Sequence, residues 1–264
     1  MRRRPILAAA MIMTAAAVFA TSGAIAGPTV AGPDGNTQSI DVQLSPKLLS
    51  KTAPTPVNLK VTTKTTSTTA ANGVPVPAVR AVVDFPKGTS IFTKGIPTCD
   101  ANKLQSISTE AALSACSSAK IGGGAATVLL PVGEKVFTEP TTVTAFNSAP
   151  QGGKPVVLLH VYGAAPVQTT QVLVGVVSNY GKEGYGPRLD VSIPLIAAGS
   201  GALTDFQVTI NKKYRYQGKP RSFASAICKP KTLKSRGAFT YRDGQTLTAL
   251  STQKCTQKKE ALKR

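Results

Sequence analysis

Residues 156–177 read VVLLHVYGAAPVQTTQVLVGVV, and the fold class turns on them. Val156–Tyr162 and Gln171–Val177 are short runs whose apolar residues fall on both parities, which predicts central strands covered on both faces. Outward from this stretch the pattern changes to alternation, the mark of strands with one wet face. Ile40, Val42 and Leu44 alternate with Asp41 and Gln43, and Val57, Leu59 and Val61 with Lys60 and Thr62. Val79, Ala81, Val83 and Phe85 alternate with Arg80 and Asp84 until Pro86-Lys87-Gly88 ends the run. The threonine-rich stretch Thr62–Thr69 suits a solvated strand surface, with a flexible tract as the alternative.

Gly122-Gly123-Gly124 opens a further strand over Ala125–Leu130. Others are expected at Thr141–Phe146, Leu189–Leu195, Phe206–Tyr216, Ser222–Cys228, Ala238–Tyr241 and Thr246–Ser251. Between them lie the turn formers Pro150-Gln151-Gly152-Gly153, Gly181–Gly186, Gly199-Ser200-Gly201 and Asp243-Gly244, the last being the strongest hairpin signal. Helical spacing occurs in Cys99–Lys120, where Leu104, Ile107, Ala111 and Cys116 recur, with a start at Ser108 and Glu110 in the first turn. Many short strands without αβ alternation predict an all-β protein. The expected form is an antiparallel β-sandwich or barrel-like sheet pair, one large or two smaller β units, with a short disulfide-held helical segment. A subdivision near Gly199-Ser200-Gly201 lacks a long linker, so one continuous domain over 38–255 is the first expectation.

The chain of 264 residues carries 31 Lys or Arg against 12 Asp or Glu, a formal charge of +19, and 42% of it is hydrophobic. That is too apolar for a disordered polyelectrolyte. With 5% aromatic residues, no Trp, 23 Gly and 19 Pro, the composition is turn-rich and poor for a helical bundle. The charge is uneven: residues 211–264 hold fifteen Lys or Arg against Asp243 and Glu260.

Arg2, Arg3 and Arg4, an apolar run from Ile6 to Ala20 and the small-residue pattern Ala24-Ile25-Ala26 predict a secretory signal over residues 1–26. Arg3-Arg4 also fits a twin-arginine leader, though an ordinary basic start explains it equally. Residues 27–37 read as a flexible lead-in and 256–264 as a frayed basic tail. No later segment offers about 18 consecutive apolar residues, so no membrane span is expected.

The four cysteines, Cys99, Cys116, Cys228 and Cys255, suit an oxidising compartment. Three connectivities are open, and the nearest-neighbour pairs Cys99–Cys116 and Cys228–Cys255 are preferred because they close modest loops within single regions. Zinc would call for close CxxC-type pairs, which are absent.

Familiar catalytic patterns are missing. The single His160 sits in an apolar strand and no GxSxG elbow occurs, which argues against a serine hydrolase. Ser117-Ser118-Ala119-Lys120 has Ser-x-x-Lys spacing but lacks the companion motifs of penicillin-recognising enzymes. Gly122-Gly123-Gly124 and Gly152-Gly153-Lys154 lack the remaining positions of phosphate-binding loops. Asp84, Glu134, Glu139, Glu183, Asp190 and Asp205 are the acids from which a glycosidase-like pair could be drawn. No cofactor or metal set emerges.

Two features stand out as binding candidates. One is the Gly-rich loop Asn179–Gly186, whose Tyr180, Lys182, Glu183 and Tyr185 can present aromatic faces and polar tips to a sugar or peptide. The other is Asn211–Arg221, with Lys212, Lys213, Arg215, Lys219 and Arg221 as an anion-binding set. If Phe206, Val208 and Ile210 face the core, strand parity turns Lys213 and Arg215 outward and Tyr214 and Tyr216 inward. Basic residues interleaved with Tyr also suit single-stranded nucleic acid, but export argues against that partner.

Pro97-Thr98-Cys99, Leu104, Cys116-Ser117-Ser118-Ala119-Lys120-Ile121-Gly122 and Gly124-Ala125 together resemble a pattern in exported β-rich proteins of high-GC Gram-positive bacteria. The resemblance covers the middle of the chain. It implies secretion, a Cys99–Cys116 bridge and a β-rich fold, and no site residue carries over from that group, which has no assigned activity. The expected function is that of a secreted, non-catalytic protein of the cell envelope. Its basic C-terminal face would meet anionic wall polymers, acidic glycans or lipid headgroups. An extracellular carbohydrate-active or other hydrolytic enzyme using the acids above is the alternative.

Overall fold

The computed structural model describes residues 27–165 and 167–259. The expected leader, 1–26, and the last residues of the basic tail, 260–264, lie outside the described residues. The chain opens with β1 (Val30–Ala31), β2 (Asn36–Ser45), β3 (Leu48–Leu49), β4 (Thr55–Ser67), β5 (Ala78–Pro86) and β6 (Thr89–Ile91). After helix α1 (Thr109–Cys116) come β7 (Lys120–Val132), β8 (Lys135–Gln151), β9 (Lys154–Gly163), β10 (Thr169–Asn179) and β11 (Tyr185–Ser192). The last third supplies β12 (Ala202–Ile210), β13 (Lys213–Tyr216), β14 (Lys219–Ser222), β15 (Ala224–Ala226), β16 (Thr232–Tyr241), β17 (Thr246–Lys254) and β18 (Thr256–Gln257).

One large sheet runs in the order β1-β2-β4-β12-β7-β8-β9-β10-β11-β5-β16-β17, every pair in it antiparallel. The expected sandwich is corrected here to a near-barrel. Alternation of period two is common to both architectures; what separates them is whether the last strand returns to the first. Here β17 does return, and with eleven strands from β2 to β17 it runs parallel to β2. Side chains close that seam. Ser251 Oγ accepts from the Val42 N–H at 3.0 Å. The Gln253 amide accepts from the Leu44 N–H at 2.7 Å and donates to the Leu44 carbonyl at 2.8 Å, standing in for a peptide group of a neighbouring strand.

Inward-facing residues of each strand fill the lumen, among them Ile40, Val42, Leu44, Leu59, Val61, Val83, Phe85, Val143, Leu159 and Leu173. Each fully buried aliphatic side chain contributes roughly 1.5–3 kcal/mol of hydrophobic stabilisation. The outer face of β8–β10 is covered as well. Leu104, Ala112, Cys116 and Ala119 of the helical segment pack on Phe146, Val156, Leu158 and Val172, which is why the two apolar runs carry no polar parity.

Helix α1 begins where its sequence signals place it, with Ser108 Oγ accepting from the Ala111 N–H. Both bridges form as nearest neighbours, Cys99–Cys116 and Cys228–Cys255. The Asp243-Gly244 hairpin joins β16 to β17, with Thr240 opposite Thr246. The run Phe206–Tyr216 is two strands instead of one, because the N–H groups of Asn211 and Lys212 both turn to the Ile121 carbonyl. The expected lead-in 27–37 is structured: Val30 and Ala31 pair with Gln38 and Thr37 through the Asp34-Gly35 turn. Thr256 and Gln257, expected in the frayed tail, pair in parallel with Leu48 and Leu49. Gly124 is required by close approach, since a Cβ there would lie 1.9 Å from the Gln207 carbonyl oxygen on β12. Residues 199–201 form a tight turn between β11 and β12, two strands of the same sheet.

Candidate functional site

Antiparallel neighbours alternate in direction, so β2, β12, β8, β10, β5 and β17 finish at one end of the barrel, where β4, β7, β9, β11 and β16 begin. The connections there carry Lys47, Lys51, Lys87, Lys94, Lys182, Lys229 and Lys231, all exposed, against Asp100, Glu110 and Glu183. The β13–β14 hairpin rises from the same end. At the far end the connections carry Arg242 against Asp34, Glu134 and Asp243. The barrel is therefore polarised in charge along its axis.

The hairpin is a two-stranded ribbon separate from the main sheet, with Tyr214 opposite Arg221 and Tyr216 opposite Lys219. Its tyrosines anchor it. The Tyr214 hydroxyl lies 3.1 Å from the Phe92 carbonyl oxygen and 3.0 Å from that of Lys94, and donates to this pair. Tyr216 meets Phe92 edge-on, with ring centres 5.8 Å apart. Arg221 lies over the same Phe92 ring at 5.0 Å. Lys213, Arg215, Lys219 and Arg221 are exposed and Lys212 is half-buried, its Nζ 3.5 Å from the Ser118 carbonyl. Arg215 donates to the Gly218 carbonyl. None of the five forms an ion pair among the described residues. The result is a ribbon anchored through its tyrosines and bearing uncompensated positive charge.

The loop Asn179–Gly186 is employed differently. Register places Arg188 on β11, Asp84 on β5 and Arg236 on β16 side by side across three strands. Asp84, 1% exposed, accepts from Arg188 Nε at 2.6 Å and Nη2 at 3.0 Å, and from Arg236 Nε at 2.9 Å and Nη2 at 2.8 Å. Over this ladder the loop folds back. Tyr180 stacks on Arg188 at 3.7 Å, Tyr185 on Arg236 at 4.8 Å, and Glu183 accepts from Arg236 at 2.6 Å and from the Tyr180 hydroxyl at 2.8 Å. Tyr180, Glu183 and Tyr185 are thus occupied within the molecule, and Lys182 alone of the four projects freely into solvent. Burial by itself would push the Asp84 carboxyl up, but the two guanidiniums outweigh it and hold the group below its ordinary value.

The remaining acids are dispersed. Asp190 pairs with Arg80, whose hydrogen bond lowers it, and Asp205 sits 3.6 Å from Lys64. Glu134 is exposed in the turn between β7 and β8. Ser117 and Lys120 are both exposed at the end of the helical segment. His160, fully buried on the outer face of β9, donates from Nε2 to the Ile107 carbonyl at 3.0 Å, and burial lowers its pKa so that the ring is neutral. Among the described residues no group of three or more His, Cys, Asp or Glu could hold a metal ion.

Glu139 is the exception that sequence reasoning placed only among generic acids. It shares the inward parity of Thr141, Val143 and Ala145, a spacing visible in the sequence, and it is fully buried. Thr169 donates to Oε2 at 3.1 Å while Oε1 has no partner. The carboxyl rests over Gly163, where a Cβ would lie 2.2 Å from Oε1. Burial raises the pKa of the group. Glu139→Met, an apolar side chain of similar length, is expected to stabilise the fold at pH 7 by about 1–3 kcal/mol by removing the unsatisfied oxygen. That is roughly 2–4 °C in Tm per kcal/mol. Because the folded carboxyl titrates above its ordinary 4.5, its penalty grows as pH rises past that value, so the gain shrinks toward pH 4. Thermal melts of both chains at pH 7 and pH 4 measure it.

Comparison with protein-family models, curated proteins and solved structures finds no match to this chain.

Proposed function

We propose that the chain is a secreted, non-catalytic binding protein that adheres to anionic polymers of the cell envelope through the basic end of its barrel. The polarised charge carries this reading: the unpaired hairpin cations stand at the same end as the exposed lysines of the neighbouring connections. An anchored ribbon holds such charges at fixed spacing, which suits repeating phosphate or carboxylate groups. The predicted leader and two disulfides agree with an oxidising, extracellular setting, and among the described residues no helix is long and apolar enough to cross a membrane.

Retention of the purified protein on isolated cell walls, measured as a function of salt, tests the reading. Binding should weaken steeply as salt rises and the Debye length shortens. Changing Lys213, Arg215, Lys219 and Arg221 to Gln should reduce affinity at low salt by roughly 1,000-fold, taking about 1 kcal/mol per cation near an anionic surface. Undiminished retention of that variant rejects the proposal.

A further inference from the structure

The seam of the barrel changes width along its length. Near the basic end β2 and β17 are stitched directly, by Ser251 on Val42 and Gln253 on Leu44. Toward the far end they diverge, and the chain from Gly27 to Gly32 lies between them. β1 pairs with Thr37 and Gln38 on one side and borders β17 on the other. A Cβ on Gly32 would lie 3.0 Å from the Leu247 side chain. One on Gly27 would lie 3.2 Å from the Leu250 carbonyl oxygen and 2.1 Å from that of Ile40. Gly27 therefore occupies the point of a wedge, where only a residue without a side chain enters.

Backbone chemistry leaves that point short of donors. Gln38, Val42 and Leu44 turn their backbone groups to the seam, and Ile40 shares their parity. Continuing the register of Val30 with Gln38 sets Ile40 opposite Pro28, which has no N–H to donate, and Gly27 level with Asp41. The Asp41 carboxylate accepts from Ser251 Oγ at 3.1 Å and from the Gln43 amide at 2.6 Å. It makes no ion pair among the described residues. Two carbonyl oxygens and a carboxylate thus gather at the point of the wedge without a cation. That point coincides with the boundary that Ala24-Ile25-Ala26 sets for the leader.

We propose that the N-terminus made by removal of the leader is itself a structural group: the α-ammonium of Gly27 pairs with Asp41, caps the Ile40 carbonyl and so seals the wedge. A signal peptidase hydrolyses the bond between Ala26 and Gly27. The water oxygen joins the Ala26 carbonyl carbon as a carboxylate, and both water protons pass to the Gly27 nitrogen. Before cleavage that nitrogen is a neutral amide with one N–H. Afterwards it carries three donors and a positive charge, since an α-amino group with a pKa of about 8 is protonated at pH 7. This group exists only if the chain is exported and processed as proposed, and it is independent of the basic end.

The test uses protein secreted into the medium, with its disulfides intact. Intact mass should place the first residue at Gly27. Insertion of Ser-Gly between Ala26 and Gly27 keeps the cleavage pattern but carries the ammonium two residues away, and should lower Tm by roughly 2–4 °C. Asp41→Asn, which keeps an acceptor for Ser251, should lower the native Tm by a similar amount. Combined with the insertion it should lower Tm no further, because the two changes remove one interaction. Retention on cell walls reports separately on the basic end. A first residue other than Gly27 overturns the proposal at the processing step. An insertion without effect on Tm, or full additivity of the two changes, overturns the ammonium's role with processing intact.

Discussion

Replacing Asp84 by Ala is expected to destabilise the protein by about 3–5 kcal/mol, the usual consequence of removing one member of a buried ion pair. Tm should fall by roughly 2–4 °C per kcal/mol. The mechanism is the stranding of two guanidiniums. Arg188 and Arg236 are about one-quarter exposed, so much of their desolvation is offset only by Asp84 between them. The tyrosine stacks and Glu183 then lose their alignment, because the loop Asn179–Gly186 is fastened to those same arginines. A control separates charge stranding from lost packing: Asp84→Leu combined with Arg188→Met and Arg236→Met should recover most of the loss. The pH dependence has a definite sign. Since Asp84 in the folded chain titrates below its ordinary 3.8, its contribution is complete above about pH 4 and is lost as pH falls through the depressed value. Urea unfolding at pH 7 and pH 3 should therefore show the native and Asp84→Ala chains converging in acid; an equal gap at both pH values contradicts the ladder's role.

Changing both Cys228 and Cys255 to Ser is expected to cost about 3–4 kcal/mol, the unfolded-state freedom that a bridge spanning 27 residues removes. This bridge ties the connection before β16 to the end of β17, beside the β18–β3 pairing that holds the last described residues. Its loss should bring protease sensitivity to residues 255–259 before the barrel itself yields. The Cys99–Cys116 bridge spans 17 residues and should contribute about 3 kcal/mol in the same way. Thermal melts with and without reductant measure both, and a reductant-insensitive melt would contradict the assignment.

Local features of this molecule were readable before its shape. Period-two alternation located most strands, and two-sided apolarity marked β9 and β10 as covered. The Ser108 cap, the Asp243-Gly244 hairpin and both nearest-neighbour bridges depend on residues close in sequence, where short-range chemistry decides. The orientation of Lys213 and Arg215 followed from parity even though the strand carrying them is interrupted at Asn211-Lys212. What escaped was order. Nothing local says that β5 lies between β11 and β16, or that β12 lies between β4 and β7, and those pairings bring Asp84 beside Arg188 and Arg236. Without them Tyr180 and Glu183 look like free ligand groups. The basic end was only half visible for the same reason: Lys47, Lys51, Lys87 and Lys94 are remote in sequence from the hairpin, and only alternation of strand direction collects them.

The stitch made by Ser251 and Gln253 on Val42 and Leu44 joins residues 209 positions apart. The ring cannot be sealed until the C-terminal strand has been delivered, whatever has assembled before it. A chain that crosses a membrane as an extended thread, N-terminus first, would stay an open sheet throughout its passage and lock only once its final segment is across. Two bare rims are exposed during that interval, and the same two glutamine and serine side chains that complete the cylinder are what withdraw them from neighbouring molecules.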